Sequence, residues 1–363
     1  MAQDVTALEK ITGKEIAVDP AGIEDAFLRI WRETAGDAYD ASTVRLRVLN
    51  LVAVGSGPAA GDSFDRVMAV VPQRHPCRGI LAVADTAASG VEASIGAHCW
   101  NAAGTGRHVC SEEVSLRGAP GQARALASAV LALLVPEVPV EIWLIDNVDL
   151  DGAVVAELLA SADRVLLDSA RSANPADAYR AALAVSDERG IAFCDLAWQR
   201  LAGWRALIAQ LFDRTDAMAE LPRLQSIEIV GGDGRPSSDA LLLAGWFASR
   251  LRLQPADVSA RVDGFGATLY DGTRGTRLAV TSDVQRAPLR EVRIRTERAS
   301  FFIQLHEDSG HMHVREEWPD RQTRRTVAME PIDDAAVILD ALDDRDGASV
   351  EIDSMRAILA LST

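Results

Sequence analysis

The sequence predicts an α/β protein: an N-terminal α/β domain with a mixed, mostly parallel sheet over residues 1–220, followed by a C-terminal α+β domain with an antiparallel sheet over 221–363. Three observations predict it. Short apolar strands alternate with helix-length segments between about residues 44 and 167. Two-residue alternation with turn signals replaces that rhythm from Val258 to about Trp318. The 363 residues, 48% apolar and 25% charged, have the composition of a globular chain of about two domains.

In chain order, Pro20-Ala-Gly-Ile23 opens a helix with Ile23, Phe27, Ile30 and Trp31 at helical spacing. Thr43–Val54 reads as one strand that starts in alternation and ends in a solid apolar run. Gly55–Ser63 is expected as a loop, Phe64–Val71 as helix and Gly79–Ala84 as strand. Val91–Trp100 and His108–Leu116 flank the turn-rich Asn101–Gly106 as a hairpin. An Ala/Leu-rich helix ends near Leu134. A strand (Val140–Ile145), a helix (Leu150–Ser161) and a strand (Arg164–Leu167) continue the βαβ rhythm. A long helix over Leu196–Phe212 takes Asp195 as N-cap, and a second, about Asp239–Leu253, starts behind Ser237-Ser238. Ser226–Val230 is a strand, and Pro331–Thr363 reads as two acidic helices.

Charge and cysteine usage exclude whole classes of function. Acids outnumber bases 53 to 37, giving a net charge of −16, which repels phosphate backbones and anionic membrane surfaces. No nucleic-acid or membrane partner is expected. Lys10 and Lys14 are the only lysines, so lysine-based chemistry has no residue outside the N-terminal segment. Four cysteines make no disulfide framework. The first residues lack a basic start and apolar core, and the longest apolar stretch, 123–140, is broken by Arg124, Pro136, Glu137 and Pro139. The expectation is a soluble cytoplasmic protein.

Several motifs invite a chemical reading. Gly55-Ser-Gly57-Pro-Ala-Ala60 satisfies G-x-G-x-x-A after a strand, with Asp85 ending a later strand where a ribose-binding acid sits. Pro58 deletes an N–H from that cradle, so an ordinary loop is the competing reading. His75-Pro-Cys77, His98-Cys99 and His108-Val-Cys110 offer zinc or redox ligands, although adjacent strand residues face opposite ways. Cys99 and Cys110 sit on facing strands as redox candidates, against the plain reading of cysteine as a small buried hydrophobe. A four-residue turn at 307–310 pairs His306 with His311. That register gathers His306, His311, His313, Gln304 and Arg315 on one face, as a metal arrangement or as the wet side of a half-buried sheet. In Arg290–Arg298, Arg293 and Arg295 share a face opposite Val292 and Ile294. That face either grips an anionic ligand or acidic partner or is simply solvated. No P-loop, nucleophile elbow, H-E-x-x-H or kinase signature is present.

The stretch Asp195-Leu-Ala-Trp198-Gln-Arg200-Leu-Ala-Gly-Trp204-Arg205 is the most distinctive. Ala197, Leu201, Trp204, Ile208 and Leu211 form an apolar stripe, and the back (Ala202, Gly203, Ala206, Ala209) is small, as in a helix enclosed on both sides, by its own domain or by a partner. Trp198, Arg200 and Arg205 here, with Trp246 and Arg250 in the next helix, are residue types enriched at binding hot spots and are candidates for a partner interface. Core packing is the alternative.

This stretch, with Asp163–Ser169, Leu242–Leu251, Arg74-His-Pro-Cys-Arg-Gly-Ile80 and Leu134–Val140, resembles the glucose-6-phosphate dehydrogenase assembly protein family, OpcA, over about residues 44–255. The resemblance implies a non-catalytic, cofactor-free protein that binds glucose-6-phosphate dehydrogenase and promotes its assembled or active state in the oxidative pentose phosphate pathway. It brings no active-site residues. Cyanobacterial members are linked to redox control, and with no cysteine after Cys194 a thiol switch is left to Cys99 and Cys110. The competing class is an enzyme, NAD(P)- or metal-binding, using Gly55–Gly57 or the histidine face.

Overall fold

The computed structural model describes residues 16–35, 43–102, 107–119, 121–146, 149–261, 263–272, 274–283, 288–306, 310–329, 333–344 and 348–361. Lys10 and Lys14, the hairpin tip at 103–106 and positions 307–309 of the histidine turn lie outside the described residues. The chain divides into two compact units: 1–168 with 185–193 and 334–343, and 169–184 with 194–333 and 344–363.

The first unit is built on a nine-stranded sheet. Its strands are β1 (Ile16–Val18), β2 (Thr43–Arg45), β3 (Leu49–Ser56), β4 (Cys77–Ala84), β5 (Val91–Ala102), β6 (Arg107–Gly118), β7 (Val140–Leu144), β8 (Arg164–Leu167) and β9 (Ala192–Asp195). The order is β1-β5-β6-β4-β3-β7-β8-β9, with β2 beside β6. The pairs β6/β4, β4/β3, β3/β7 and β7/β8 are parallel; β5 returns antiparallel on β6 and β1 on β5. β3, β4, β7 and β8 are buried almost end to end, as strands covered on both faces must be. Helices α1 (Ile23–Ala35), α2 (Gly57–Met68), α3 (Ala123–Leu133) and α4 (Ala153–Leu158) connect them.

Two expectations need correction here. Thr43–Val54 is two strands, because β2 lies beside β6 at Cys110 whereas β3 lies between β4 and β7. At the step Val48 N–H donates to Pro76 O at 2.7 Å. Gly55–Ser63 is no loop either: α2 begins at Gly57 directly behind β3, with Pro58 in its first turn, where a missing N–H costs nothing.

The second unit opens with part of α5 (Pro175–Arg189), then α6 (Leu196–Arg200), α7 (Ala202–Leu211) and α8 (Thr215–Met218). Strand β10 (Leu224–Val230) and helix α9 (Ser238–Arg250) precede seven strands: β11 (Gln254–Arg261), β12 (Gly264–Tyr270), β13 (Gly275–Thr281), β14 (Glu291–Thr296), β15 (Ser300–His306), β16 (His311–Glu317) and β17 (Gln322–Ala328). Helix α10 (Asp334–Asp343) belongs to the first unit and α11 (Ala348–Leu361) to the second. The sheet order is β11-β12-β13-β10-β14-β15-β16-β17, antiparallel except for β10/β13. One face, carrying Ile227, Ile229, Leu278, Val280, Val292, Ile294, Phe301 and Ile303, shares a buried core with α9, α11 and α7. Phe301 stacks on Phe212 at 5.0 Å and meets Trp318 edge-on at 6.0 Å. The other face is open.

The Leu196–Phe212 helix is also corrected: it breaks at Leu201, which has ψ −5°. The cause is local. In a straight helix the Trp198 carbonyl would accept from Ala202, but here it accepts Arg205 Nη1 at 2.5 Å and Leu201 N–H at 3.2 Å. The small back of α7 is not covered by the chain's own described residues, with Ala202, Ala206 and Ala209 exposed.

Candidate functional site

The glycine turn sits at the carboxyl edge of β3, where the parallel sheet reverses direction between β4 and β7, the place where doubly wound sheets bind ligands. Gly57 takes φ +65°, open to glycine at little cost. The cradle is filled from within. Asp146, just past β7, accepts Ser56 N–H at 2.7 Å and Ser56 Oγ at 3.0 Å on one carboxylate oxygen. A Cβ on Gly55 would lie 2.7 Å from Ala60 Cβ and 3.3 Å from Asp146 Oδ2. A carboxylate therefore holds the amide that a phosphate would need, Pro58 supplies no N–H, and the fixed negative charge repels a second anion. These residues do not fit a dinucleotide.

The Arg74–Ile80 motif is a brace. Arg74 and His75 both reach Asp343, at 2.6 and 2.8 Å. Arg78, 2% exposed, donates to Glu112 at 2.8 and 2.5 Å and to Leu133 O at 2.8 Å, and it pairs with Glu24. Cys77 N–H donates to Ser111 Oγ at 3.0 Å, and burial first, then Glu113, pushes the Cys77 thiol up to about 12. Cys77 and Cys194 are buried thiols outside the disulfide. Cys99 and Cys110 are bonded to each other across β5 and β6 as directly opposed residues, so the small-hydrophobe reading does not hold for this pair.

Around α6 the second unit carries a closed polar cluster. Asp195 Oδ1 caps α6 by accepting Ala197 N–H at 3.0 Å and also accepts Ser169 N–H at 3.0 Å. Its own N–H donates to Glu351 Oε1 on α11 at 2.5 Å. Tyr179 OH lies 2.6 Å from Ser238 Oγ, which also contacts Ser169 Oγ. Burial, reinforced by Asp195, raises the Glu351 carboxyl well above its ordinary range; burial likewise lowers Arg205 to about 10, still charged at neutral pH. Arg205 lies 3.6 Å above the Trp198 ring. The cluster positions a helix start and, being sealed, offers no substrate a path.

The interface candidates separate by exposure. Trp198 is 2% exposed, so its ring meets no partner in this conformation. Arg200 lies 3.9 Å from Asp239. Trp246 is half-buried against Phe247, and Arg250 reaches Asp353 at 2.5 Å near the surface. The histidine hairpin has the expected register, with His306 opposite His311 and Gln304 opposite His313. His306 and His313 stack with ring centres 4.2 Å apart, and among the described residues no three His, Cys, Asp or Glu side chains converge to hold a metal ion.

The open sheet face was visible in the sequence as two pieces, Arg293 with Arg295 and the histidine face with Gln304 and Arg315. Register aligns Arg277 and Arg295 on either side of Ser226, and Arg293, Phe302, Arg315 and Arg324 along the next row. Arg293 is held by Glu291 and by Glu228 at 3.5 Å; Arg315 lies 4.2 Å above Phe302 and 3.2 Å from Glu317. The signal for the rest lay in cross-strand pairing, which alternation alone does not reveal.

Comparison with known proteins bears on the whole arrangement. The family model described as glucose-6-phosphate dehydrogenase subunit N-terminal domain matches residues 69–184, and the one described as its C-terminal domain matches 191–350. Proteins provisionally named OxPP cycle protein OpcA are similar: from Nostoc punctiforme, 27% identical over 230 residues (62% of this chain, 49% of that one), and from Synechocystis, 30% over 189 residues (51% and 39%). Each match spans less than half of the relative's own length. A 3-ketoreductase of Actinomadura kijaniata, solved with TDP-benzene and NADP in an open conformation, superposes with TM-score 0.52 at 15% identity, covering 87% of this chain and 97% of that one. That likeness is one of fold alone.

Proposed function

This chain belongs to the OpcA family of glucose-6-phosphate dehydrogenase subunits, and from that membership we propose that it is a non-catalytic assembly factor and allosteric activator that binds glucose-6-phosphate dehydrogenase. Its family ties it to the oxidative pentose phosphate cycle through that dehydrogenase. The observation that carries the non-catalytic part is the Asp146 carboxylate seated in the glycine turn. A fold shared with an NADP-bound ketoreductase here keeps the strand–turn–helix but gives its anion cradle to an internal acid. The polar residues that remain clustered, around Asp195 and Glu351, are sealed from solvent.

An activator works only by binding the active conformation or oligomer of its partner more tightly than the inactive one; equal affinity shifts nothing. A tenfold activation of a minor active state needs about 1.4 kcal/mol of such preference. The test is dehydrogenase turnover against glucose-6-phosphate concentration, with the source organism's enzyme, titrated with this chain. A lower KM or higher kcat that saturates at a fixed molar ratio is expected. No kinetic change together with no co-elution overturns the reading, and stoichiometric NADP binding by the isolated chain would favour an enzyme instead.

A further inference from the structure

We infer that the open face of the eight-stranded sheet is a docking surface for an acidic face of the partner protein; this rests on the reading above that the partner is the dehydrogenase. The chain carries a net charge of −16, yet this face concentrates arginine. Arg261, Arg277, Arg295 and Arg324 are exposed there and make no ion pair or hydrogen bond among the described residues. Arg261 leans over Gly266, whose missing side chain leaves a depression of 510 Å³ floored by Ser226, Thr268 and Ala279. A neighbouring hollow of 780 Å³, reaching Arg324 on β17, shares Arg293 and Arg295 with it. The two make one trough lined by all eight strands, from β11 to β17, about 34 Å from seven inter-strand steps of ~4.8 Å.

The dimensions and chemistry choose among anions. A trough of that length exceeds a metabolite, and none of its unpaired guanidiniums is buried, so a small ligand would gain little from each. A protein surface that covers the trough desolvates all of them together, where opposite charges become worth more. Nucleic acid fits poorly, because Glu228, Glu291 and Glu317 are interspersed among the arginines and would face its phosphates. Alternating Arg and Glu, with the Phe302 ring at the centre, suits a mixed but predominantly acidic protein face instead.

The experiment measures association of the full chain with the source organism's glucose-6-phosphate dehydrogenase by biolayer interferometry. Arg277→Glu/Arg295→Glu should raise Kd at least tenfold, and Arg277→Gln/Arg295→Gln should raise it by less while safeguarding the test if the reversal unfolds the sheet. Arg180→Glu/Arg189→Glu on α5 changes net charge equally and should stay within twofold. Unchanged Kd in both face variants overturns the inference, as does equal loss in all charge reversals or loss confined to Arg250→Glu on α9. Stoichiometric binding of ATP or glucose 6-phosphate, abolished by the face variants while dehydrogenase association persists, assigns the trough to a metabolite and also overturns it. Failure of the wild-type chain to associate at all sinks the underlying reading, and is told apart because no variant is needed to see it.

Discussion

Arg78 shows how a single residue of the most recognisable motif serves the fold. Its guanidinium holds Glu112, whose side chain is fully buried, and it spends its remaining donors on Glu24 and the Leu133 carbonyl. Replacing it with methionine keeps the volume but strands a buried carboxylate, and removing one partner of a buried pair costs about 3–5 kcal/mol. Arg47 also reaches Glu112, at 3.3 Å, so the lower end of that range is expected, read as a fall in the urea midpoint at unchanged slope. A loss below 1 kcal/mol would mean that Arg47 and Trp31, whose Nε1 donates to Glu112 at 3.2 Å, hold the carboxylate without it. This role was not legible beforehand, because a charged residue in the strand Cys77–Ala84 reads as surface unless its partners, 54 and 34 residues away, are known. The same is true of Asp146: the glycine motif was plain, but the acid that fills it comes from just past a strand, 90 residues on.

Helix α9 packs closely against α11, and the fit turns on one glycine. A Cβ on Gly245 would lie 2.1 Å from the Ser354 carbonyl oxygen and 3.3 Å from Ile358 Cβ, so Gly245→Ala must push the two helices apart. Overpacking of this kind costs about 1–3 kcal/mol, more than the helix propensity it gains. Gly203 on α7 is the contrast. Its added Cβ would meet only the flexible end of Met329 at 3.1 Å, so Gly203→Ala should be neutral or stabilise by up to about 1 kcal/mol. Thermal midpoints of the two variants check both signs in one experiment. Elements of strong local pattern were legible: the Cys99–Cys110 hairpin register, the His306–His311 register, the Asp195 cap and the Ser237 cap all follow from spacing and capping chemistry. What was not legible was set by distant pairing. The strand over Thr43–Val54 splits because β6 and β4 compete for it, and α6 parts from α7 because a side chain takes a backbone carbonyl. Helix α5, with small and charged residues on every side, and the exposed strands β1 and β17 gave no periodic signal.

For the molecule as a whole, pH acts through two contributions of the same sign that one substitution separates. At pH 7 the chain carries −16, and bringing those charges together opposes the compact state; titrating toward the pI of about 4.8 relieves it. Glu351 adds a local part. Buried beside Asp195, with Arg205 and Asp344 also acting on it, it keeps its proton in the folded state well above the ordinary glutamate value of 4.5, whereas the unfolded chain releases it there. The folded state thus binds more protons than the unfolded one above about pH 4.5, and its stability falls as pH rises toward the folded value. Glu351→Gln retains the oxygen that accepts Asp195 N–H but has no proton to lose. Urea unfolding from pH 5 to pH 8 should therefore show the wild-type chain losing stability steadily, and the variant losing less, with the two curves closest at the acid end. The slope left in the variant measures repulsion among the remaining charges. Identical slopes in both proteins would place Glu351 in its ionised form, held by Arg205, and the cluster at the start of α6 would then be a buried ion pair rather than a neutral hydrogen-bonded brace.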